Sequence, residues 1–347
     1  MGAPTVEAVC DCLVALAPAT AGAATLWAKN SDRPPTEAQQ LERIDARRGG
    51  GRLRCTDVDI HETPGETIGF VGSRPWWLWG VEHGVNDAGV AVGNEAIYTT
   101  LDPRPEPPGL VGMDLVRLGL ERGTTAEEAV TVVTDLLEAH GQGGSGHHGV
   151  ERPYWSSFLI ADAVGAWVVE TSGRTWAAER VERSRAISNR TTIASFDAEH
   201  RHPRQPVATL VDPRLDASRA TLAVEPVEVA AVTSHLRSHR PDGWGLCMHV
   251  PEVEATTASA IATLPGAGPP LVRWSLGSPC TSVYVPIHVG CALGTPVPWE
   301  RFVALRPEHR AALDELEVGL AADVVPDDLW GPEAWRRVDE VLTAAGT

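Results

Sequence analysis

One run of residues constrains this chain more than any other: Ala8-Val9-Cys10-Asp11-Cys12-Leu13-Val14-Ala15-Leu16. A short apolar strand follows the first cysteine. A turn of small residues spans Pro18 to Ala23. A second strand-like run, Ala24-Thr25-Leu26-Trp27-Ala28, ends in Lys29-Asn30-Ser31-Asp32-Arg33. Antiparallel pairing about a turn near Thr20 puts Cys10 opposite Asn30, with Lys29 and Asp32 alongside, because the turn sets the register. A thiol, a carboxylate, an amide and a cation then meet at one sheet edge, the makeup of a cysteine-based acyl-transfer site. The plain alternative is a small buried cysteine beside a polar turn.

Composition narrows the field. The net charge of −17 argues against a general binder of nucleic acid or anionic membrane, whose phosphates would repel such a surface. Basic residues are almost all arginine, and Lys29, inside the motif, is the only lysine. No stretch of about 18 apolar residues predicts a membrane span. Met1 to Val9 has neither the basic nor the apolar region of a signal peptide. Six cysteines in 347 residues then fit reduced thiols in a cytoplasm better than a disulfide framework.

The pattern along the chain is strands, two helices, strands, then helices. Strands are expected at 67–72 and 90–95, and helices at 112–122 and 125–140. Thr124 and Glu127 form a capping-box start for the second helix and Gly141 its stop. A strand meander is expected over 155–161, 166–170, 175–179 and 185–188. Residues 226–238 read as a helix, 256–264 as a strand or short helix, and 282–289 as a strand. The chain turns helical from about 299, near 307–322 and 332–345. This order fits antiparallel sheet covered by helices, an α+β fold in one domain. Residues 191–225, rich in Arg, Pro and Asp, read as a surface excursion.

Further residues carry chemistry or structure. Asn94 and Asn189 each leave a strand, where an Asn is a turn former or, by its side-chain N–H, an oxyanion donor. Trp76, Trp77 and Trp79 fill a core or hold an apolar substrate group. Cys10 and Cys12 share a strand face and, with Cys247 and His249, make a zinc site conceivable, although C-x₂-C spacing is absent. His83 and His249 are available as bases, but their spacing singles out neither. The Gly141–Gly144 loop lacks the Lys-Ser/Thr of a phosphate loop.

Several segments, in order, resemble one family. They include Cys10-Asp11, Ala28-Lys29-Asn30-Ser31-Asp32-Arg33, Ser73-Arg74-Pro75, Leu78-Trp79-Gly80, Gly93-Asn94-Glu95-Ala96, Gly112-Met113-Asp114, Phe158-Leu159-Ile160-Ala161-Asp162, Ile187-Ser188-Asn189 and Cys247-Met248-His249. These are similar to secernins, which belong with the C69 dipeptidases among the N-terminal-nucleophile hydrolases. The resemblance implies a four-layer αββα sandwich of two antiparallel sheets. It implies a leader, residues 1–9, whose removal makes Cys10 the first residue of a single domain over 10–347, and it favours Cys10 over Cys12 as nucleophile. The freed α-amine, near pKa 8, then serves as base for a thiol near 8.5.

The expected activity is a cysteine amidohydrolase or dipeptidase acting on a small peptide or acyl-amide through a thioester. Cys10, Asp32, Asn94 and Asn189 are its catalytic group, and Lys29, Arg33 and Trp79 its substrate contacts. No metal or organic cofactor is required, and no nucleic-acid or membrane partner is expected. A homo-oligomer is left open. The competing reading is a non-catalytic interaction protein that keeps the hydrolase scaffold.

Overall fold

A computed structural model describes residues 9–203, 205, 207–305 and 309–347. Residues 1–8 of the expected leader and 306–308 at the start of an expected helix lie outside them.

Alternation of apolar residues builds two large antiparallel sheets. The first has the order β12 (Ser184–Ile187), β1 (Cys10–Ala15), β2 (Thr25–Arg33), β14 (Glu254–Leu264), β15 (Leu271–Leu276), β16 (Val285–His288), with the short β13 (His249–Val250) on β14. The second runs β11 (Thr175–Arg180), β10 (Ala166–Ser172), β9 (Trp155–Ala161), β8 (Ala91–Ile97), β7 (His83–Asn86), β6 (Phe70–Pro75), β3 (Gln39–Ile44). A separate hairpin joins β4 (Arg48–Arg54) to β5 (Asp59–Glu66).

The period of two sorts each strand between layers. On β1, Cys12 and Val14 face the space between the sheets, where they meet Trp27, Val85, Leu159 and Val272. Leu13 and Ala15 face outward, against α4 (Asp212–Leu222) and α5 (Val229–Leu236), through Leu215, Leu222 and Leu236. On the second sheet, Val92, Phe158 and Ile160 face outward to α1 (Gly112–Arg122) and α2 (Ala126–His140). Helix, sheet, sheet, helix: this is the αββα sandwich that the resemblance implies. The inner layer is apolar except for a buried polar group that includes Lys29 of β2 and Glu95 of β8. After the short α6 (Glu300–Val303), two C-terminal helices, α7 (Arg310–Asp323) and α8 (Trp330–Ala344), close the first sheet at β16. Among the described residues no helix is long and apolar enough to cross a membrane.

Three local expectations need correction. Cys10 pairs with Ser31, not Asn30, because the connection from Ala15 to Leu26 centres between Thr20 and Ala21. That one-residue offset puts Ser31 and Lys29 on the face of Cys10 and sends Asn30 to the helical side. There the Asn30 side chain donates to the carbonyls of Leu236 and Leu246 at 2.9 and 2.7 Å. The N-cap of α2 is Thr125, whose hydroxyl accepts the Glu128 N–H at 3.1 Å, one residue after the predicted cap. Residues 191–225 are not merely a surface excursion, for they contain α3 (Ala194–His200) and α4, and α4 inserts a buried arginine against β1. The ambiguous 256–264 segment is strand, at the centre of the first sheet.

Candidate active site

Cys10 opens β1, and its main chain is held on both sides. Its N–H donates to Asn189 Oδ1 at 2.9 Å. Its carbonyl accepts from Ser188 Oγ and Arg214 Nη1, each at 3.4 Å. Its sulfur accepts the backbone N–H of Asp32 at 3.4 Å. The start of β1 meets the end of β2, so the hairpin puts residues 10 and 32 together.

The charges around this thiol are sealed from water. Lys29, Asp32, Glu95, Asp11 and Arg214 are all 2 % exposed or less. Such groups survive only in mutual contact, because an isolated buried charge is strongly destabilising. Lys29 Nζ lies 2.6 Å from the Asn94 carbonyl and 3.5 Å from Glu95 Oε1. Arg214 pairs with Asp11 and also donates to Asn189 Oδ1 at 3.0 Å. Asp32 Oδ1 accepts from Thr256 at 2.5 Å, whereas Oδ2 is buried without a hydrogen-bond partner.

Burial sets the protonation states. It raises the Cys10 thiol well above its usual range, with Glu95, Glu82 and Asp32 adding and Lys29 opposing. Burial works against the Lys29 ammonium, but the carboxylates beside it, Glu95 and Glu82, favour it and Lys29 stays cationic. Burial, then Asp11, lifts the Asp32 carboxyl well above the carboxylate range. With Val9 attached, itself buried, this cysteine is therefore an inert thiol.

The structure distributes the expected site residues unevenly. Cys10, Asp32 and Asn189 come together. Asn189 takes the Cys10 N–H on its Oδ1 and gives one Nδ2 hydrogen to the Ala96 carbonyl at 3.0 Å. Asn94 points elsewhere. Its neighbours Gly93 and Glu95 face the first sheet, so Asn94 faces α1, where its Nδ2 reaches only Met113 Sδ at 3.7 Å. Gly112 is required there, since a Cβ would stand 2.7 Å from that nitrogen.

The expected substrate contacts also change role. Lys29 is wholly buried and holds Glu95 and the β8 backbone. Arg33 is 2 % exposed and is consumed by Glu37, Glu82 and the Gly146 carbonyl. Trp79 packs in the α1/α2 core with the Arg117 guanidinium 4.0 Å over its ring. His83 is held as the neutral imidazole: burial, then Lys29, keeps it well below its usual pKa, and its Nδ1 meets Ser31 Oγ at 3.1 Å. Cys247 and His249 do not join Cys10 and Cys12; their ligating atoms cluster with His239 and Cys280.

A cavity of about 660 Å³ opens just past the end of β2. Its walls include Pro34, Glu37, Trp76, His148, Arg152 and Trp244. Cys10 does not line it, being 4 % exposed. Glu37 links the two places, since it lines the cavity and takes Arg33, the residue after Asp32, at 2.5 Å.

Two residues of this site escape a sequence reading that looks at strand ends. Arg214 had one signal: with Leu215, Ser218 and Leu222 it forms the buried stripe of α4 at helical spacing. Glu95 had another, since a lone buried lysine requires a counter-charge and Glu95 alternates inward on β8.

Among solved structures, the chain is similar to a Caenorhabditis elegans N-acylethanolamine-hydrolyzing acid amidase ortholog. The identity is 12 %, over 73 % of this chain and 92 % of that one, with a TM-score of 0.44. It is also similar to a conjugated bile acid hydrolase from Clostridium perfringens, in two forms. A cysteine-to-alanine mutant of that enzyme is 10 % identical over 78 % of this chain and 89 % of that one (TM-score 0.47). An arginine-to-leucine variant is 10 % identical over 76 % and 89 % (TM-score 0.46). Residues 78–212, from the segment before β7 to the start of α4, match the model of peptidase family C69.

Proposed function

We propose that this chain is a cysteine amidohydrolase of the N-terminal-nucleophile type, with Cys10 as nucleophile once residues 1–9 are removed. Its substrate is a dipeptide or small acyl-amide. The observation that carries the reading is the clamp on Cys10: N–H on Asn189, sulfur on the Asp32 N–H, and the buried Asp32 carboxyl with one oxygen unpartnered. A freed α-ammonium is the partner such an oxygen lacks. The secernin-like motifs and the C69 match over residues 78–212 support the same reading, and a cytoplasmic setting goes with it.

The steps follow from those groups. The α-amine of Cys10 takes the thiol proton, and the thiolate attacks the substrate carbonyl carbon. The tetrahedral adduct collapses to a thioester as the amine returns its proton to the departing nitrogen. Water, deprotonated by the same amine, then attacks the thioester and releases the acid and the thiol. Asn189 and Arg214 hold the Cys10 main chain throughout, and Asp32 stabilises the ammonium form of the base.

Intact mass of the purified protein, with a panel of dipeptides and acyl-amides, tests this. A chain beginning at Cys10 that hydrolyses members of the panel is the expected result. Cys10→Ala should lose both processing and hydrolysis, and a Cys10→Ala protein that still hydrolyses would end the proposal. The sealed, raised thiol of the uncut chain favours a second reading, a non-catalytic protein on the same scaffold. An uncut N-terminus with no hydrolysis anywhere in the panel would establish that one instead.

A further inference from the structure

We propose that His239, Cys247, His249 and Cys280 form a structural zinc site, separate from Cys10. The ligating atoms of these four residues all lie within 4.8 Å of one another. His249 Nε2 is 3.4 Å from Cys247 Sγ and 3.1 Å from Cys280 Sγ. A tetrahedron with Zn–S near 2.3 Å and Zn–N near 2.0 Å has edges of about 3.3–3.8 Å. The side chains therefore stand within a few tenths of an ångström to an ångström of the liganded arrangement.

The donor set selects the metal. Two thiolates and two imidazoles suit zinc and disfavour magnesium or calcium, which take oxygen. Two thiolates also neutralise the dication, so the loaded site adds no net charge near the acids of the Cys10 cluster. Four protein ligands close the coordination shell, which is the pattern of a structural rather than a catalytic zinc.

The backbone presents these ligands together. The Cys247 N–H donates to the Ser238 carbonyl at 2.9 Å and the His249 N–H to the Gly243 carbonyl at 3.0 Å, folding residues 238–249 into one compact loop. Cys280 arrives from the connection between β15 and β16. His239 and His249 are exposed and Cys280 half-buried, so an ion has a path from solvent. The His239-x₇-Cys247-x-His249 spacing, with Cys280 far downstream, matches no common zinc-finger pattern. What the ion would staple is the back of the active-site candidate. Met248, between two ligands, donates its N–H to Thr256 Oγ1 at 2.8 Å, and Thr256 donates to Asp32 at 2.5 Å.

The test is a metal titration of the full-length protein, reduced and stripped with chelator, using zinc against a chromophoric competitor and cobalt(II) as a spectroscopic reporter. The expected result is one ion per chain, with tetrahedral cobalt bands, thiolate-to-cobalt charge transfer and a raised thermal midpoint. Cys280→Ser should weaken zinc by about 100-fold or more, and His239→Ala, an exposed position that leaves packing intact, should weaken it as well. Cys291→Ser and Cys10→Ser should bind as the parent does. Absence of stoichiometric binding by the folded parent protein would overturn the proposal. So would undiminished binding by folded Cys280→Ser and His239→Ala, loss of the ion in Cys10→Ser, or a Cys247–Cys280 disulfide as the form the protein takes in place of metal.

Discussion

Two neighbouring compartments of this molecule contrast sharply. Around Cys10 the space is closed: thiol, ammonium, guanidinium and carboxyls are packed against one another and hidden from water. Past Arg33 the space is open, an aromatic-walled cavity with two tryptophans, an arginine and two glutamates but no cysteine. One holds the thiol and no room; the other holds room and no thiol. The difference teaches that chemistry and substrate binding are separate physical problems here, joined through the Arg33–Glu37 pair. On the proposed function, removal of residues 1–9 is what connects them. Substitutions in the closed compartment should then strike turnover or stability, and those in the open one should strike affinity.

The largest effect tests that division directly. Cys10→Ala should lower kcat by at least about 10⁴-fold, while a substrate held by the cavity should bind the folded variant with its affinity kept within a few-fold. Equilibrium binding by calorimetry alongside turnover measures both, and joint loss of binding and turnover would merge the two compartments into one. Arg214 comes next. Removing it strands Asp11 in a sealed site and leaves Asn189 Oδ1 with the Cys10 N–H but without its guanidinium donor. Arg214→Ala should cost about 3 kcal/mol or more in chemical denaturation. Arg214→Lys should recover little of that, since a single ammonium does not reproduce the fork that reaches Asp11, Asn189 and the Cys10 carbonyl. Full rescue by lysine would reduce this residue to a simple charge.

The closed compartment was only partly legible in the sequence, and the reason is physical. The hairpin, the nucleophile and Asp32 follow from local pairing, which a reader can build from adjacent residues. The register erred by one because it depends on how the Ala17–Thr20 turn closes. Asn94 and Glu95 exchanged expected importance because strand alternation decides which of two adjacent polar residues meets the other sheet, and only packing fixes the phase. Arg214 is 204 residues from Cys10 along the chain, so no local pattern links them. The thiol–imidazole cluster likewise joins Cys280 to His249, 31 residues away along the chain.

A smaller effect comes from Glu254, at the start of β14, where Arg33, Arg152, Glu37 and Glu82 surround it from both compartments. Both its carboxylate oxygens are buried without hydrogen-bond partners. Burial, against Arg33 and Arg152, raises it from 4.5 to about 8. Between those values the folded protein keeps a proton that the unfolded chain has released. Stability from this group is thus fully present below pH 4.5 and is lost as pH rises toward 8. Glu254→Gln should therefore gain on the parent as pH rises, by about 1 kcal/mol or more at pH 8, with the two converging near pH 5. Asp114, raised to about 7, and Glu95, raised to about 8, leave part of the decline in place in both proteins. Parallel curves of thermal midpoint against pH for parent and variant would contradict the assignment.

The smallest effect separates two tryptophans that the sequence presents as one cluster. Trp76 is half-exposed, packs against His148 with the rings tilted by 56° and their centroids 4.7 Å apart, and lines the open cavity. Trp79, three residues on, faces the α1/α2 core under Arg117. Trp76→Ala should leave stability within about 0.5 kcal/mol and raise KM several-fold for substrates with an apolar side chain, with kcat little changed. Trp79→Ala should do the reverse, lowering stability by about 2 kcal/mol through lost packing while KM holds. The His148 N–H on Glu37, at 2.9 Å, keeps the cavity wall anchored when Trp76 is cut back, so a KM change there reads lost contact rather than collapse. Equal KM for parent and Trp76→Ala across apolar and polar substrates would move the substrate out of this cavity, and the contrast between the two compartments would then need a different second member.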